Sequence, residues 1–273
     1  MKIITLTSDF GVQSQGVAIM EAIIYNIAPE AKIIHFMHGL PSFNMCAAAR
    51  TLETIKYISP GYHVCVCDPG VGSKRKPIII KVKRGDYLIG PDNGVLLPAA
   101  RVLGGIESVY QIDNEKYINQ PVSSIFHGRD IFAPTAAYLF AGIELNKIGR
   151  ELLSKNLNPP PYYEAIIRNN TISAQVIQIN KFGSLHLNIL HHAWDNLGLK
   201  AKDVINAELP NKIILELPVS KTFCDVPIGK PLILKDDYGR VEIALNLEAF
   251  SEVYKIVIGD KISLHYKSSI NIK

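Results

Sequence analysis

Short apolar runs alternate with amphipathic stretches through the first half of the chain. Ile3-Ile4-Thr5-Leu6-Thr7, entered through Met1-Lys2, reads as a strand that ends at Ser8-Asp9-Phe10-Gly11. Val17 to Ile27 has helical spacing and stops at Ala28-Pro29, and Lys32 to Phe36 reads as a second strand. Asn44 to Tyr57 places Ala47, Ala48, Leu52 and Ile55 at helical spacing, with Ser42 or Asn44 as N-cap. Tyr62 to Cys67 is almost unbroken apolar sequence, the mark of a central strand covered on both faces. Ile78 to Val82 and Tyr87 to Ile89 follow as strands, and Ile131 to Phe140 as a buried helix opened by Asp130. This alternation predicts an α/β N-terminal domain with a central, mostly parallel sheet and helices on both faces.

The texture changes at Asn158-Pro159-Pro160-Pro161, because consecutive prolines continue neither a helix nor a sheet ladder. Beyond it Thr171 to Asn180, Leu185 to Leu190, Lys212 to Leu217, Pro231 to Leu234, Val241 to Asn246 and Lys261 to His265 read as short strands. Turns such as Lys181-Phe182-Gly183 and Asp237-Tyr238-Gly239 separate them. The expected organisation is an α/β domain over 1–157, a Pro-rich linker over 158–168 and an all-β, barrel-like domain over 169–273.

Composition narrows the function classes. Of 273 residues, 48% are hydrophobic and 20% charged, as in a soluble globular protein large enough for a good core. The net charge of +4 is spread out, so no nucleic-acid partner is expected. The two short basic runs, Lys74-Arg75-Lys76 and Lys81-Val82-Lys83-Arg84, read as a solvated loop and an edge strand. The N-terminus lacks the apolar core of a signal peptide and no apolar run reaches bilayer length, which points to the cytoplasm and no membrane. Cys46, Cys65, Cys67 and Cys224 form no C-x-x-C spacing, and Cys65 and Cys67 read as small core residues.

Chemistry-bearing residues gather at a few turns. Asp9 follows the first strand, where α/β sheets bind ligands; it either caps the turn or accepts from two sugar hydroxyls. Asp68 closes the most apolar strand before Gly70 and Gly72, and serves either as a cap for the turn or as a catalytic group. Arg75 is either a surface residue or folds back onto Asp68. His127 is a structural histidine or, beside Arg129 and Asp130, a catalytic one. Together Asp68, Arg75 and His127 could hold and activate a water molecule. Gly90-Pro91-Asp92-Asn93-Gly94 is a tight turn or the rigid wall of a ligand pocket. No nucleophile elbow, Walker loop or dinucleotide fingerprint occurs, and His191-His192 has no metal spacing.

Four ordered motifs carry a resemblance. T-S-D-F-G (Thr7 to Gly11), D-P-G-V-G-S-x-R (Asp68 to Arg75), G-P-D-N-G-V-L (Gly90 to Leu96) and F-H-G-R-D-I-F-A-P (Phe126 to Pro134) make the chain similar to the S-adenosylmethionine (SAM) hydroxide adenosyltransferase family. These are SAM hydrolases related to the bacterial fluorinase and chlorinase. Phe182-Gly183 and Tyr238 to Ala244 match more weakly.

The resemblance implies SAM plus water giving adenosine plus methionine, with SAM as substrate and no cofactor or metal. It implies a homotrimer with active sites at subunit interfaces, between the N-domain of one subunit and the C-domain of the next. It puts the water-holding set on Asp68, Arg75 and His127 and the ribose aspartate on Asp9. It puts further substrate contacts at Ser14, Asn180, Ser184, Asp237 and Tyr238. Several of these depart from the family pattern: Ser14 stands where a second aspartate is usual, and Asn180 and Ser184 replace the acid and amide of D-x-F-G-N. Asp236-Asp237-Tyr238-Gly239 replaces N-S-F-G. The departures motivate an alternative, a non-catalytic SAM- or adenosine-binding protein. A SAM-dependent halogenase is a further alternative, opposed by the water-holding set and by the lack of a sizeable extra loop.

Overall fold

The computed structural model describes residues 3–267. The chain divides into two compact units, with the division between Pro161 and Tyr162.

The first unit contains, in order, β1 (Ile3–Ser8), α1 (Gln15–Ile27), β2 (Lys32–Met37), α2 (Met45–Glu53), β3 (Tyr62–Val66), β4 (Pro77–Val82) and β5 (Tyr87–Pro91). It continues through α3 (Leu97–Val102), β6 (Ile106–Ile112), α4 (Ala133–Phe140), α5 (Leu145–Ile148) and β7 (Gly149–Leu152). The strands form one sheet in the order β2-β1-β3-β5-β4-β6-β7. β1 runs parallel to β2 and β3, and β3 parallel to β5. β4 runs antiparallel to both β5 and β6, and β6 antiparallel to β7. The sheet is therefore mixed, not mostly parallel as the pattern suggested. Connection length explains this. Only Lys83 to Asp86 join β4 to β5, far short of the dozen or so residues that a parallel crossover needs. β4 is also an interior strand and not an edge. Its Lys81 side chain reaches Glu107 of β6 at 2.6 Å, so the basic run reflects a cross-strand ion pair.

Ile4, Leu6, Val64, Ile79 and Ile89 of the sheet form a core with Met20 and Ile24 of α1 and with Phe132, Ala133 and Ala136. Each large aliphatic side chain so buried contributes about 1.5–3 kcal/mol. α1 and α4 pack on each other, as do α2 and α3. α1 starts where the Ser14 hydroxyl accepts from Gly16 N–H at 3.2 Å. Asn44, not Ser42, caps α2, accepting from Ala47 N–H at 2.9 Å. In the β1–β3 pair Ser8 lies opposite Val66, so Asp9, one residue on, and Asp68, two residues on, both follow the carboxyl ends of neighbouring strands.

Asn158 donates its backbone N–H to Asp92 Oδ1 at 3.0 Å, tying the start of the proline run to the first unit. The second unit contains β8 (Ile166–Arg168), β9 (Thr171–Ile179), β10 (Leu185–Leu190), α6 (His191–Asp195), β11 (Val204–Glu208) and β12 (Ile214–Pro218). β13 (Pro231–Lys235), β14 (Arg240–Leu245), α7 (Phe250–Tyr254) and β15 (Lys261–His265) follow. The order is β12-β11-β15-β9-β10-β14-β13, with β8 also on β9, and every named pairing is antiparallel. The end strands β12 and β13 lie against each other, and Val219 bridges to Ile233, so the sheet is a nearly closed barrel. Alternate inward residues such as Ile172, Ala174, Val176, Leu185, Leu187 and Ile243 fill it.

Candidate active site

The buried strand β3 delivers Asp68 into a pair of tight turns. Val71 N–H donates to Asp68 C=O at 3.2 Å and Ser73 N–H to Gly70 C=O at 3.1 Å. Gly72 sits at φ +77°, and a Cβ there would stand 2.4 Å from Ser124 C=O. Glycine is thus required both by the backbone and by the close approach of the 119–127 loop. The turns bring Arg75 back onto Asp68. Arg75 Nε donates to Asp68 Oδ2 at 2.8 Å, and Nη2 makes a short contact with the same oxygen. Nη2 also makes a short contact with His127 Nδ1. The Asp68 and Arg75 side chains are 4% and 7% exposed, so this is a buried ion pair.

The guanidinium can only donate, so Nδ1 of His127 accepts and the imidazole proton sits on Nε2. Burial, reinforced by the Arg75 charge, holds the His127 pKa below the ordinary histidine range and keeps the ring neutral. Two polar atoms of the cluster, Asp68 Oδ1 and Arg75 Nη1, are buried without a protein partner. One is an acceptor and the other a donor.

Asp68 and His127 line a cavity of about 220 Å³ together with Asp9, Phe10, Ser42, Phe43, Val66, Val71, Ile125, Phe126 and Gly128. Arg75 is not among the lining residues; it is bonded to two that are. Asp9 Oδ2 accepts from Phe43 N–H at 2.9 Å and from the Cys67 thiol at 3.7 Å. Phe10 and Phe126 meet edge to face at 5.8 Å, forming an apolar wall.

Three of the residues expected at the site therefore share this cavity, and Arg75 backs it. Ser14 does not line it; its hydroxyl is the cap of α1. Gly90-Pro91-Asp92-Asn93-Gly94 does not line it either. Asn93 instead donates to Cys67 C=O at 3.0 Å, bracing the strand end before Asp68.

Pattern reading missed Phe43, which sits at φ +61°, a rare conformation for an aromatic residue, and donates to Asp9. Only Pro41-Ser42 hints at a turn there. It also missed a chain running back from the β1 end. Ser8 Oγ lies 2.7 Å from His38 Nδ1, His38 Nε2 lies 3.0 Å from His35 Nδ1, and His35 Nε2 lies 3.2 Å from Glu21. Burial and the nearby His35 push the His38 pKa down to about 4.

In the second unit, Asn180 and Ser184 line a separate cavity of about 450 Å³ with Phe182, Phe223, Asn246 and Glu248. Asn180 Oδ1 accepts from the N–H groups of Phe182 (2.9 Å) and Ser184 (3.1 Å), so part of its capacity is spent on its own turn. Asp237 lies instead in a cleft with His191, Lys221 and Lys235. Tyr238 is half exposed and donates its N–H to Asp236 Oδ1 at 2.9 Å. The structure does not bring Asp237 or Tyr238 into the wall of the Asn180 cavity. Among the described residues no cluster of histidine, cysteine or carboxylates has metal-holding geometry, and no helix is long and apolar enough to cross a membrane.

The chain is 33% identical to a protein from Methanocaldococcus jannaschii named (R)-S-adenosyl-L-methionine hydrolase, covering 97% of each chain. It is 31% identical to a protein of the same name from Salinispora arenicola, covering 95% of this chain and 96% of the other. A fluorinase from an Actinoplanes species is more distant, at 24%. A crystal structure of an uncharacterized conserved protein from Thermotoga maritima superposes with a TM-score of 0.88 at 32% identity, over 96% of this chain and all of the other. The family model for the SAM hydroxide adenosyltransferase N-terminal domain matches residues 4–149, and that for the C-terminal domain matches 174–263. Two domain models in order, over both units of the chain, leave one assignment: this protein belongs to the SAM hydroxide adenosyltransferase family.

Proposed function

We propose that this protein is an enzyme that hydrolyses SAM to adenosine and L-methionine, by attack of a water molecule on the ribose 5′ carbon. The observation that carries the reading is the buried Asp68–Arg75–His127 cluster, with its unpartnered acceptor and donor, at the cavity shared with Asp9. The relatives named as SAM hydrolases over nearly the full chain support the same reaction.

The difficulty in this reaction is the nucleophile, since methionine leaves as a neutral thioether from a sulfonium and needs no acid. Water donates to Asp68 Oδ1 and accepts from His127 Nε2–H, and Arg75 acts from behind the cavity through its bonds to both residues. As the oxygen bonds to C5′, the C5′–S electron pair passes to sulfur and the proton passes to Asp68 Oδ1. His127 is not the base, because its only lone pair faces Arg75. Arg75 keeps the carboxylate in place and sets the imidazole tautomer. In-line positioning supplies up to about 7–11 kcal/mol in the best-oriented cases. Asp9 is the ribose anchor, its remaining acceptor capacity meeting the sugar hydroxyls. SAM is the substrate in this reading, and the reaction needs no cofactor.

A cavity of about 220 Å³ is below the roughly 300–1,000 Å³ of a complete small-molecule pocket, so it suits the reacting centre and ribose but not all of SAM. A homotrimer, with a neighbouring subunit's second unit offering Asn180 and Ser184, is the assembly we propose for closing the rest. The cytoplasm, where SAM and free thiols coexist, is the compartment that fits.

The test is incubation of the pure protein with SAM, alone and with chloride or fluoride, followed by chromatography. Adenosine and methionine in every arm are expected. A 5′-halo-adenosine would make the protein a halogenase, and tight SAM binding without turnover would make it a binding protein. Light scattering reads the assembly, where a monomer at micromolar concentration counts against the trimer.

A further inference from the structure

Asp130 is fully buried and does not itself line the cavity. Its carboxylate receives four hydrogen bonds. Oδ1 accepts from Asn119 Nδ2 at 2.9 Å and Arg129 Nε at 2.7 Å; Oδ2 accepts from Ser123 N–H at 2.8 Å and Arg129 Nη2 at 2.8 Å. Its backbone closes the same circle, since Asn119 N–H donates to Asp130 C=O at 2.7 Å and Asp130 N–H to Phe126 C=O at 3.2 Å. Every one of these partners outside Asp130's own turn lies in the 119–127 loop. That loop delivers Ile125, Phe126 and His127 to the cavity.

The same hub reaches the cavity wall by a second route. The Arg129 guanidinium, oriented by both carboxylate oxygens, stacks 5.3 Å from the centre of the Phe126 ring. Phe126 packs edge to face on Phe10. On its far side the loop abuts the Asp68–Arg75 turns where Ser124 C=O meets Gly72. A loop with no regular structure of its own, whose Val122 and Phe126 pack on the core, is therefore also braced from behind by one carboxylate and in front by one glycine contact.

We propose that Asp130, with Arg129 and Asn119, is the positioning centre that places the His127 imidazole against Arg75 and Phe126 against Phe10, and so sets the rate of the chemical step without touching substrate. The inference rests on the hydrolase reading for its kinetic consequences. A lone buried carboxylate would be an expensive way to fix a loop, since burial raises its pKa. Here the bonds from Arg129, Ser123 and Asn119 outweigh burial and the acid stays below the ordinary carboxylate range. The charge also reaches His127. Burial, Arg75, Asp68 and Asp130 are the influences on that ring, and the two carboxylates oppose the first two.

The experiment compares Asp130→Asn, Arg129→Gln and Asn119→Ala with the wild-type protein. Steady-state kinetics with SAM are expected to show kcat lowered about 10²-fold in Asp130→Asn and about 10-fold in Arg129→Gln, with KM changed less than about threefold, as for a misplaced reacting group. Titration of the His127 ring by NMR, assigned with His127→Asn, is expected to move to lower pH in Asp130→Asn, a change that mere loop support does not produce. Variants that fold and keep kcat within about twofold of wild type, or an unmoved His127 titration, overturn the proposal. Should Asp130→Asn not fold, the half-exposed Arg129 and the Asn119 variant decide it by the same kinetic split. A wild-type protein that releases no adenosine sinks the hydrolase reading instead, and the His127 titration then still reads the hub directly.

Discussion

Replacing Arg75 with methionine separates the structural from the chemical role of the cluster. The Asp68 and Arg75 side chains are both more than nine-tenths buried, so Arg75→Met leaves an uncompensated carboxylate in a site of low polarity. Breaking a buried pair from one side costs about 3–5 kcal/mol, whereas removing both charges at once is often close to neutral. Methionine keeps much of the arginine stem's volume against the Phe132 ring, 5.5 Å from the guanidinium, so packing loss is a minor part. We therefore expect Arg75→Met to lower unfolding free energy by about 3–5 kcal/mol, and Asp68→Asn/Arg75→Met to regain about half or more of that. Against a total of about 5–15 kcal/mol the shift is easily read from urea midpoints. Adenosine release, measured by chromatography, should behave oppositely: the double variant is as inactive as either single one, because the residues act as a unit. A double variant no more stable than Arg75→Met would refute the buried-pair reasoning, and one that regained activity would refute the catalytic assignment.

Further expectations follow from the same geometry. His127, His38 and His63 all have pKa values lowered chiefly by burial. In the window below the ordinary histidine value of about 6.5 the unfolded chain binds protons that the folded one does not. Stability is thus full above that value and falls as pH drops through the window, which urea midpoints from pH 8 to 4.5 should show. The acid limb of kcat should lie below about pH 6.5 and shift or vanish in His127→Asn. Ser14→Ala should cost about 0.5–2 kcal/mol of stability and leave KM for SAM unchanged, as expected of a helix cap; a raised KM would restore it as a substrate contact. Gly72→Ala should cost about 1–3 kcal/mol from its positive φ alone and also lower kcat, because the Ser124 carbonyl must retreat and carry its loop with it. An unchanged kcat would separate that contact from the chemistry.

Much of this was legible in the residues. Hydrophobic spacing located β1, α1, β2 and β3 within a residue or two: β1 and β3 are apolar runs buried on both faces, and α1 buries one regular face. The strand order was not legible. The turn at Gly85 that makes β4 antiparallel to β5 carries a local signal, but the basic residues of Lys81-Val82-Lys83-Arg84 disguised an interior strand whose charges are paired with Glu107 and Asp86. β6, β7, β8 and β11 escape the pattern reading, being short or mixed in polarity. Asp130 reads in sequence as the start of a helix; it sits instead in the π-helical turn Gly128–Phe132, bonded to a loop that precedes it. At the site, motif spacing identified Asp9, Asp68, Arg75 and His127 as candidates. It could not reveal that Arg75 stands behind the cavity, since that depends on how two loops pack.

The side-by-side exit of Asp9 and Asp68 from two hydrogen-bonded parallel strands has a consequence for how such a catalyst diversifies. In the proposed reaction the sugar anchor and the nucleophile anchor follow neighbouring strands, whose spacing of about 4.8 Å is set by the sheet and not by the loops. Remodelling the short turn from Gly70 to Arg75 would change the surroundings of the attacking species while Asp9 stays at the end of its own strand. A scaffold of this kind can trade one small nucleophile for another without rebuilding its grip on the ribose.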